Sequence, residues 1–121
     1  MSTSVLIVDD NDLNRELLSD ALRLAGYATA EAGDGREALD YLHSHADRPG
    51  AILLDLLMPV MDGWEFLRRR RRDPQLAEVP VLVFTAADGF NADTMQALGA
   101  TDVLRKPAQP RDVVAAVQRY C

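Results

Sequence analysis

The stretch VLIVDDND, residues 5–12, decides the fold. Val5-Leu-Ile-Val8 is a short apolar run rich in β-branched residues, which reads as a buried strand. It stops abruptly at Asp9-Asp10-Asn11-Asp12. Beyond those acids, Leu13, Leu17, Leu18, Ala21, Leu22 and Ala25 recur at helical spacing, and Gly26 is a suitable stop. The unit is therefore strand, acidic turn, helix.

The unit recurs along the chain. Tyr27–Ala30 is a weaker second strand. Asp34-Gly-Arg-Glu37 has capping-box spacing ahead of Ala38, Leu39 and Leu42. Ala51–Leu54 is a third strand, and Asp62-Gly-Trp-Glu65 repeats the capping pattern before Phe66 and Leu67. Val79–Phe84 is a fourth strand, with Pro80 tolerable only near its start. A short helix from about Phe90 to Leu98 is stopped by Gly99. Val103 and Leu104 mark a fifth strand, and Pro110 opens a last helix through Val113, Val114, Val117 and Tyr120. Strict alternation of strand and helix predicts an α/β fold with right-handed crossovers and a parallel sheet covered on both faces. In such sheets ligands meet the carboxyl ends of the strands, so that edge is where chemistry is sought.

Composition sets the outer limits. The 121 residues form one domain, 1–121, and 48% of them are apolar, enough for a core without staples. No run is long enough for a signal peptide or a membrane span, which predicts a cytoplasmic protein with no membrane partner. The start MSTSVLIVDD favours a complete single-domain protein over a fragment of a larger one. Cys121 is the lone cysteine, so no internal disulfide forms. The net charge of −6 repels phosphate backbones and argues against direct nucleic-acid binding. The basic run Arg68–Arg72 sweeps around a helix instead of forming one stripe, and reads as a solvated helix end.

The strand ends carry the candidate chemistry. Strand one ends in Asp9-Asp10, strand three in Asp55 and strand four in Thr85, while Lys106 follows strand five. Carboxylates brought together repel one another unless a cation is present. A hard divalent cation wants oxygen ligands, and Mg²⁺ takes carboxylates, waters and phosphate oxygens. Asp9, Asp10 and Asp55 thus read as a Mg²⁺ site awaiting a phosphoryl group, with the Thr85 hydroxyl and the Lys106 ammonium suited to its outer oxygens. Lys106 is the only lysine in the chain. Taken singly each residue has a plainer reading: Asp9 and Asp10 as helix caps beside Asn11 and Asp12, Asp55 as a loop acid, Lys106-Pro107 as a turn.

Together, VLIVDDN at 5–11, LLDLLMPVMDG at 53–63, VLVFTA at 81–86 and RKP at 105–107 closely resemble the receiver domains of two-component response regulators. The resemblance covers essentially the whole chain. It implies a flavodoxin-like sheet of five parallel strands in the order 2-1-3-4-5, flanked by five helices. It also implies a phosphorylation switch that is no enzyme in the wider sense, catalysing only its own phosphorylation and dephosphorylation. Asp55 would take a phosphoryl group from a phosphohistidine on a sensor histidine kinase or histidine phosphotransfer protein. Asp10, Asp55 and the backbone carbonyl of Leu57 would ligate Mg²⁺ directly, with Asp9 acting through water. Lys106 would contact Asp55 and the phosphoryl group, and its bond to Pro107 would be cis. Thr85 would move toward the new phosphate and draw the following loop with it, so that a partner protein is controlled or phosphate is relayed onward. The domain would be a monomer or a weak dimer.

Departures from the family pattern matter as much. Val103 stands where the family's switch aromatic usually lies, and a valine cannot swing between exposed and buried rotamers, so movement of the loop after strand four and of helix four is expected to dominate. Leu57 and Ala87 occupy positions that tune dephosphorylation, and neither side chain can orient a water. Ala108-Gln109 replaces the aromatic commonly found after Lys-Pro. Arg70 interrupts the apolar stripe of Phe66 and Leu67: either its stem covers the core while its head reaches water, or the helix loosens there. Trp64 reads as a partly exposed packing residue, and His43 and His45 as surface residues. Three other classes compete with this reading. A nucleotide binder would need a glycine- or hydroxyl-rich cradle after strand one, and an aspartyl phosphatase an Asp-x-Asp there. A receiver-shaped interaction module that is never phosphorylated remains the third.

Overall fold

The computed structural model describes residues 3–87 and 92–121. Five strands alternate with five helices: β1 Ser4–Val8, α1 Asp12–Leu24, β2 Ala28–Ala32, α2 Gly35–Ser44, β3 Ala51–Leu54, α3 Gly63–Arg72, β4 Val81–Thr85, α4 Ala92–Ala97, β5 Asp102–Arg105 and α5 Pro110–Gln118. All strand pairs are parallel and the order is β2-β1-β3-β4-β5, as expected. Residues 88–91, where the fourth helix was expected to begin at Phe90, lie outside the described residues.

The period of two along each strand splits the core into two layers. Leu6, Val8, Ile52, Leu54, Val81 and Val83 face one cluster with Leu42, Phe66, Leu67 and Met95 of α2, α3 and α4. Val5, Ile7, Leu53, Leu82 and Phe84 face the other with Leu18, Leu22, Val113 and Val117 of α1 and α5. Strands β1, β3 and β4 are buried almost throughout, which is why they read as continuous apolar runs; β2 and β5 are the half-covered edges.

Local signals act at most boundaries. Asn11 caps α1 by accepting from the Asn14 N–H, so Asp9 and Asp10 are not its caps. Asp34 and Asp62 accept from the Glu37 and Glu65 N–H groups. The return arms depart from the capping-box pattern: Glu37 accepts from the Gly33 N–H, one residue before its cap, and Glu65 pairs with Arg68 and Arg69, whose guanidiniums hold its carboxyl below its ordinary pKa. β2 starts one residue later than expected and runs to Ala32, while β4 loses Val79 and Pro80 to the preceding turn. The stripe expected on α1 is only half right. Leu18 and Leu22 are buried, but Leu13 and Leu17 are 61% and 49% exposed. At about 100° per residue, Leu17 lies a quarter-turn or more from Leu18, off the arc that meets the sheet.

Arg70 is the main correction. Its side chain is buried, and its head neither reaches water nor loosens the helix. The guanidinium donates to the carbonyls of Ala77 (2.9 Å), Val79 (2.5 Å) and Gly99 (3.1 Å), pinning the α3–β4 loop and the turn after α4 to α3. Gly99 has φ +92°, a left-handed turn open to glycine, and a Cβ there would stand 2.8 Å from an Arg70 nitrogen. Burial lowers the Arg70 pKa and Glu78 opposes that shift; an arginine stays charged regardless. Its neighbour Arg71 donates to the Ala97 carbonyl at the end of α4, and the other three arginines are exposed. Arg70→Ala, which strands three carbonyls, is expected to lower unfolding free energy by about 3 kcal/mol. Arg71→Ala should cost no more than about 1 kcal/mol. Urea titration of the two variants beside wild type checks the ranking.

Candidate functional site

The sheet register puts the strand ends level. Val8 pairs with Ala32 and Leu54, and Thr85 with Arg105. The ladder continues one step past each strand: the Asp9 N–H donates to the Ala32 carbonyl, the Asp55 N–H to Val8 and the Lys106 N–H to Thr85. The candidate residues are thus delivered to one edge by backbone hydrogen bonds before any side chain contributes. Gly63 allows α3 to start beneath them. A Cβ on it would lie 2.5 Å from the Asp55 carbonyl oxygen and 2.7 Å from the Leu56 Cα.

At that edge Asp55 is 8% exposed and Asp9 3%, while Asp10 faces solvent. Asp55 Oδ1 accepts the Thr85 hydroxyl at 2.8 Å and the Leu57 N–H at 3.3 Å. Asp55 Oδ2 accepts Lys106 Nζ at 3.2 Å, and the same nitrogen reaches Asp9 Oδ2 at 3.0 Å. The other Asp9 oxygen takes the Asn11 N–H. Lys106 also stands 5.2 Å over the Phe84 ring, so a wholly buried threonine and an aromatic face flank the ammonium and the acids.

Carboxylate oxygens of Asp9, Asp10 and Asp55 lie within 4.8 Å of one another. Opposite ligands of an octahedral Mg²⁺ are about 4 Å apart, so the trio can close on one small hard cation. Charge agrees with size: three carboxylates facing one ammonium leave two negative charges, the complement of a divalent ion.

The peptide bond between Lys106 and Pro107 is cis. Ala87 is buried with its N–H on Thr85 Oγ1, and Leu57 points its side chain outward at 55% exposure. Val103 is not brought to the site; on β5 it pairs with Val83 of β4 and packs on the α2–α4 side of the sheet. Two contributors escaped sequence reasoning. Phe84 looked like core alone, and Arg15 gives no signal except its i+3 spacing from Asp12, yet it donates to the Asp9 carbonyl at 2.6 Å.

Burial pulls the Lys106 pKa down, but the hydrogen bond to Asp9 and the attraction of Asp55 and Asp9 outweigh it, leaving the ammonium above its ordinary value. A raised folded-state pKa means that the stabilisation is complete below the unfolded value, roughly pH 10.4, and fades as pH climbs through the folded one. Lys106→Met should therefore be less stable than wild type by about 3 kcal/mol between pH 7 and 9, with the gap closing above roughly pH 10.4. Urea unfolding across that range measures it.

Residues 5–118 match the family model of the response regulator receiver domain. Among curated proteins, the response regulator MprA of Mycolicibacterium vanbaalenii is 39% identical over 120 residues, 98% of this chain and 50% of its own length. The chain spans about half the length of these curated relatives. Among solved structures, the chemotaxis response regulator CheY4 of Vibrio cholerae superposes with a TM-score of 0.88 at 35% identity, covering both chains completely. The phosphorylated cyanobacterial phytochrome response regulator RcpA follows at 0.81 and 29%, covering 98% of this chain and 91% of its own. With the sheet order, the acidic edge and these matches in agreement, the chain belongs to the response regulator receiver domain family.

Proposed function

We propose that Asp55 is the phosphoryl acceptor of a two-component switch and that Asp9, Asp10 and Asp55 hold the Mg²⁺ on which the transfer depends. The observation that carries the reading is one carboxylate, 8% exposed, gripped by the Thr85 hydroxyl and the Lys106 ammonium beside two further acids. The phosphorylated state of RcpA lends support from a relative.

An Asp55 oxygen attacks the phosphorus of a phosphohistidine on a sensor histidine kinase or histidine phosphotransfer protein. The P–N bond breaks and its electron pair stays on the departing imidazole. Phosphoryl transfer of this kind is catalysed by positioning and charge neutralisation. Asp55 is aimed by its backbone bond to β1 and by Thr85. Lys106 stands ready to follow the developing negative charge, and the Thr85 hydroxyl to leave the carboxylate for a phosphoryl oxygen. Mg²⁺, when bound, supplies two positive charges that let dianionic phosphate approach the acids; Asp10, Asp55 and the Leu57 carbonyl would hold it, and Asp9 would act through water. The whole of residues 1–121 acts as one receiver unit in this reading.

Output follows from what Thr85 touches. Its hydroxyl also accepts the Ala87 N–H, so a shift toward phosphate draws on the loop that leads to α4. Val103 offers no rotamer to report the change, which leaves that loop and α4 to signal to a downstream protein or to the next histidine of a relay. The acidic surface argues against direct contact with nucleic acid.

Incubation with acetyl phosphate and Mg²⁺ should add one phosphoryl mass to wild type but not to Asp55→Asn, by intact-mass spectrometry, and chelation should abolish it. If no donor modifies wild type and beryllofluoride leaves its NMR spectrum untouched, the domain is an unphosphorylated interaction module instead. Since neither Leu57 nor Ala87 can orient a water, the phosphorylated state should decay slowly. Leu57→Asn should speed decay about tenfold, some 1.4 kcal/mol off the barrier, as followed by loss of the added mass.

A further inference from the structure

Arg15, on the first turn of α1, makes an arrangement that the phosphorylation chemistry does not use. One guanidinium nitrogen donates to the backbone carbonyl of Asp9 at 2.6 Å, and the other to the Asp12 carboxylate. Nε sits 3.4 Å from Glu31 on β2, without a hydrogen bond of its own. The side chain is 17% exposed, whereas that of Asp12 is 91% exposed. Its own N–H donates to the Asn11 carbonyl. Arg15 therefore ties the start of α1, the acidic turn and the end of β2 at once.

The carbonyl it holds belongs to the planar peptide unit joining Asp9 to Asp10. Fixing that plane fixes ψ of Asp9 and φ of Asp10, and with them the directions in which both carboxylates leave the backbone. Asp9 has other restraints, from Asn11 and Lys106. Asp10 stands at the exposed lip of the site, where the orientation of this peptide counts for more. The guanidinium binds the backbone and not the Asp9 or Asp10 carboxylates, so it restrains the turn without taking up the oxygens that a cation needs.

We infer that Arg15 is a positioning residue for divalent-cation binding: by clamping the Asp9–Asp10 peptide it holds the two acids in the register that one Mg²⁺ requires. This rests on the reading of Asp9, Asp10 and Asp55 as the cation site. The two plainer roles predict differently. A cation acting merely by its charge near three acids would weaken Mg²⁺ binding, so its removal would tighten it. A simple staple between α1 and β2 would alter stability and leave affinity alone.

The test is calorimetric titration of the 121-residue chain with Mg²⁺ at constant ionic strength, with thermal melts in parallel. Arg15→Ala should weaken binding roughly tenfold or more, the usual effect of removing a group that orients a ligand. Arg15→Lys, which keeps one donor on a long stem, should recover part of the loss. Asp12→Asn and Glu31→Gln, which remove the other two anchors and spare the carbonyl bond, should bind nearly as wild type does. Acetyl phosphate labelling of Arg15→Ala should approach the wild-type rate once Mg²⁺ saturates. Equal or tighter binding by Arg15→Ala overturns the inference. Should that variant fail to fold, unchanged affinity in Arg15→Met, which keeps the packing of the stem but has no donor for the Asp9 carbonyl, overturns it as well. A wild-type chain that takes up no Mg²⁺ defeats the cation-site reading itself, an outcome distinct from a clamp with no effect.

Discussion

Everything at the working edge depends on keeping two carboxylates, Asp9 and Asp55, in a place with almost no water. Each is less than a tenth exposed, and both share the Nζ of Lys106. Buried charges of one sign are tolerated only with a partner and with their lone pairs occupied. The structure meets that requirement with ladder hydrogen bonds that place the backbone and with N–H donors from Asn11 and Leu57 that fill remaining oxygens. The cost falls on the sheet: β1, β3 and β4 must end at one level, so their lengths and register leave little freedom. The short, saturated apolar runs of the sequence are the visible result.

That is also why so much was legible from residues alone. A strand buried on both faces announces itself as an uninterrupted apolar run, and the acid that ends it marks the edge where a site can form. The sheet, its five helices and the meeting of Asp9, Asp10, Asp55, Thr85 and Lys106 follow from those two signals together with the family resemblance. What escaped has a common physical cause. On α1 the apolar residues cover more than one arc, and spacing cannot say which arc meets the sheet, so Leu13 and Leu17 were misplaced. Arg15 and Arg70 bind backbone carbonyls, and a carbonyl carries no residue type for a sequence reader to match. Gly99 lies 29 positions beyond Arg70.

The arginines at the end of α3 divide among quite different tasks. Arg68 and Arg69 hold Glu65, Arg70 holds three carbonyls in the interior, and Arg71 holds the last turn of α4. The six-residue α4 is thus tethered at its carboxyl end to a helix on the same face of the sheet, while its amino end follows the loop that begins at Thr85. The left-handed turn at Gly99 lies just beyond that tethered end.

The single lysine has a use outside the chemistry of signalling. Twelve of the thirteen basic side chains are arginines, which common amine reagents leave untouched. Reductive methylation, which keeps the positive charge, therefore has a single lysine to modify, Lys106, and the raised pKa of an amine bridging two buried acids makes it slow to react. Isotope introduced in this way would report from the centre of the site with no assignment problem beyond separating it from the amino terminus. A composition with no other lysine has given the molecule a built-in spectroscopic probe.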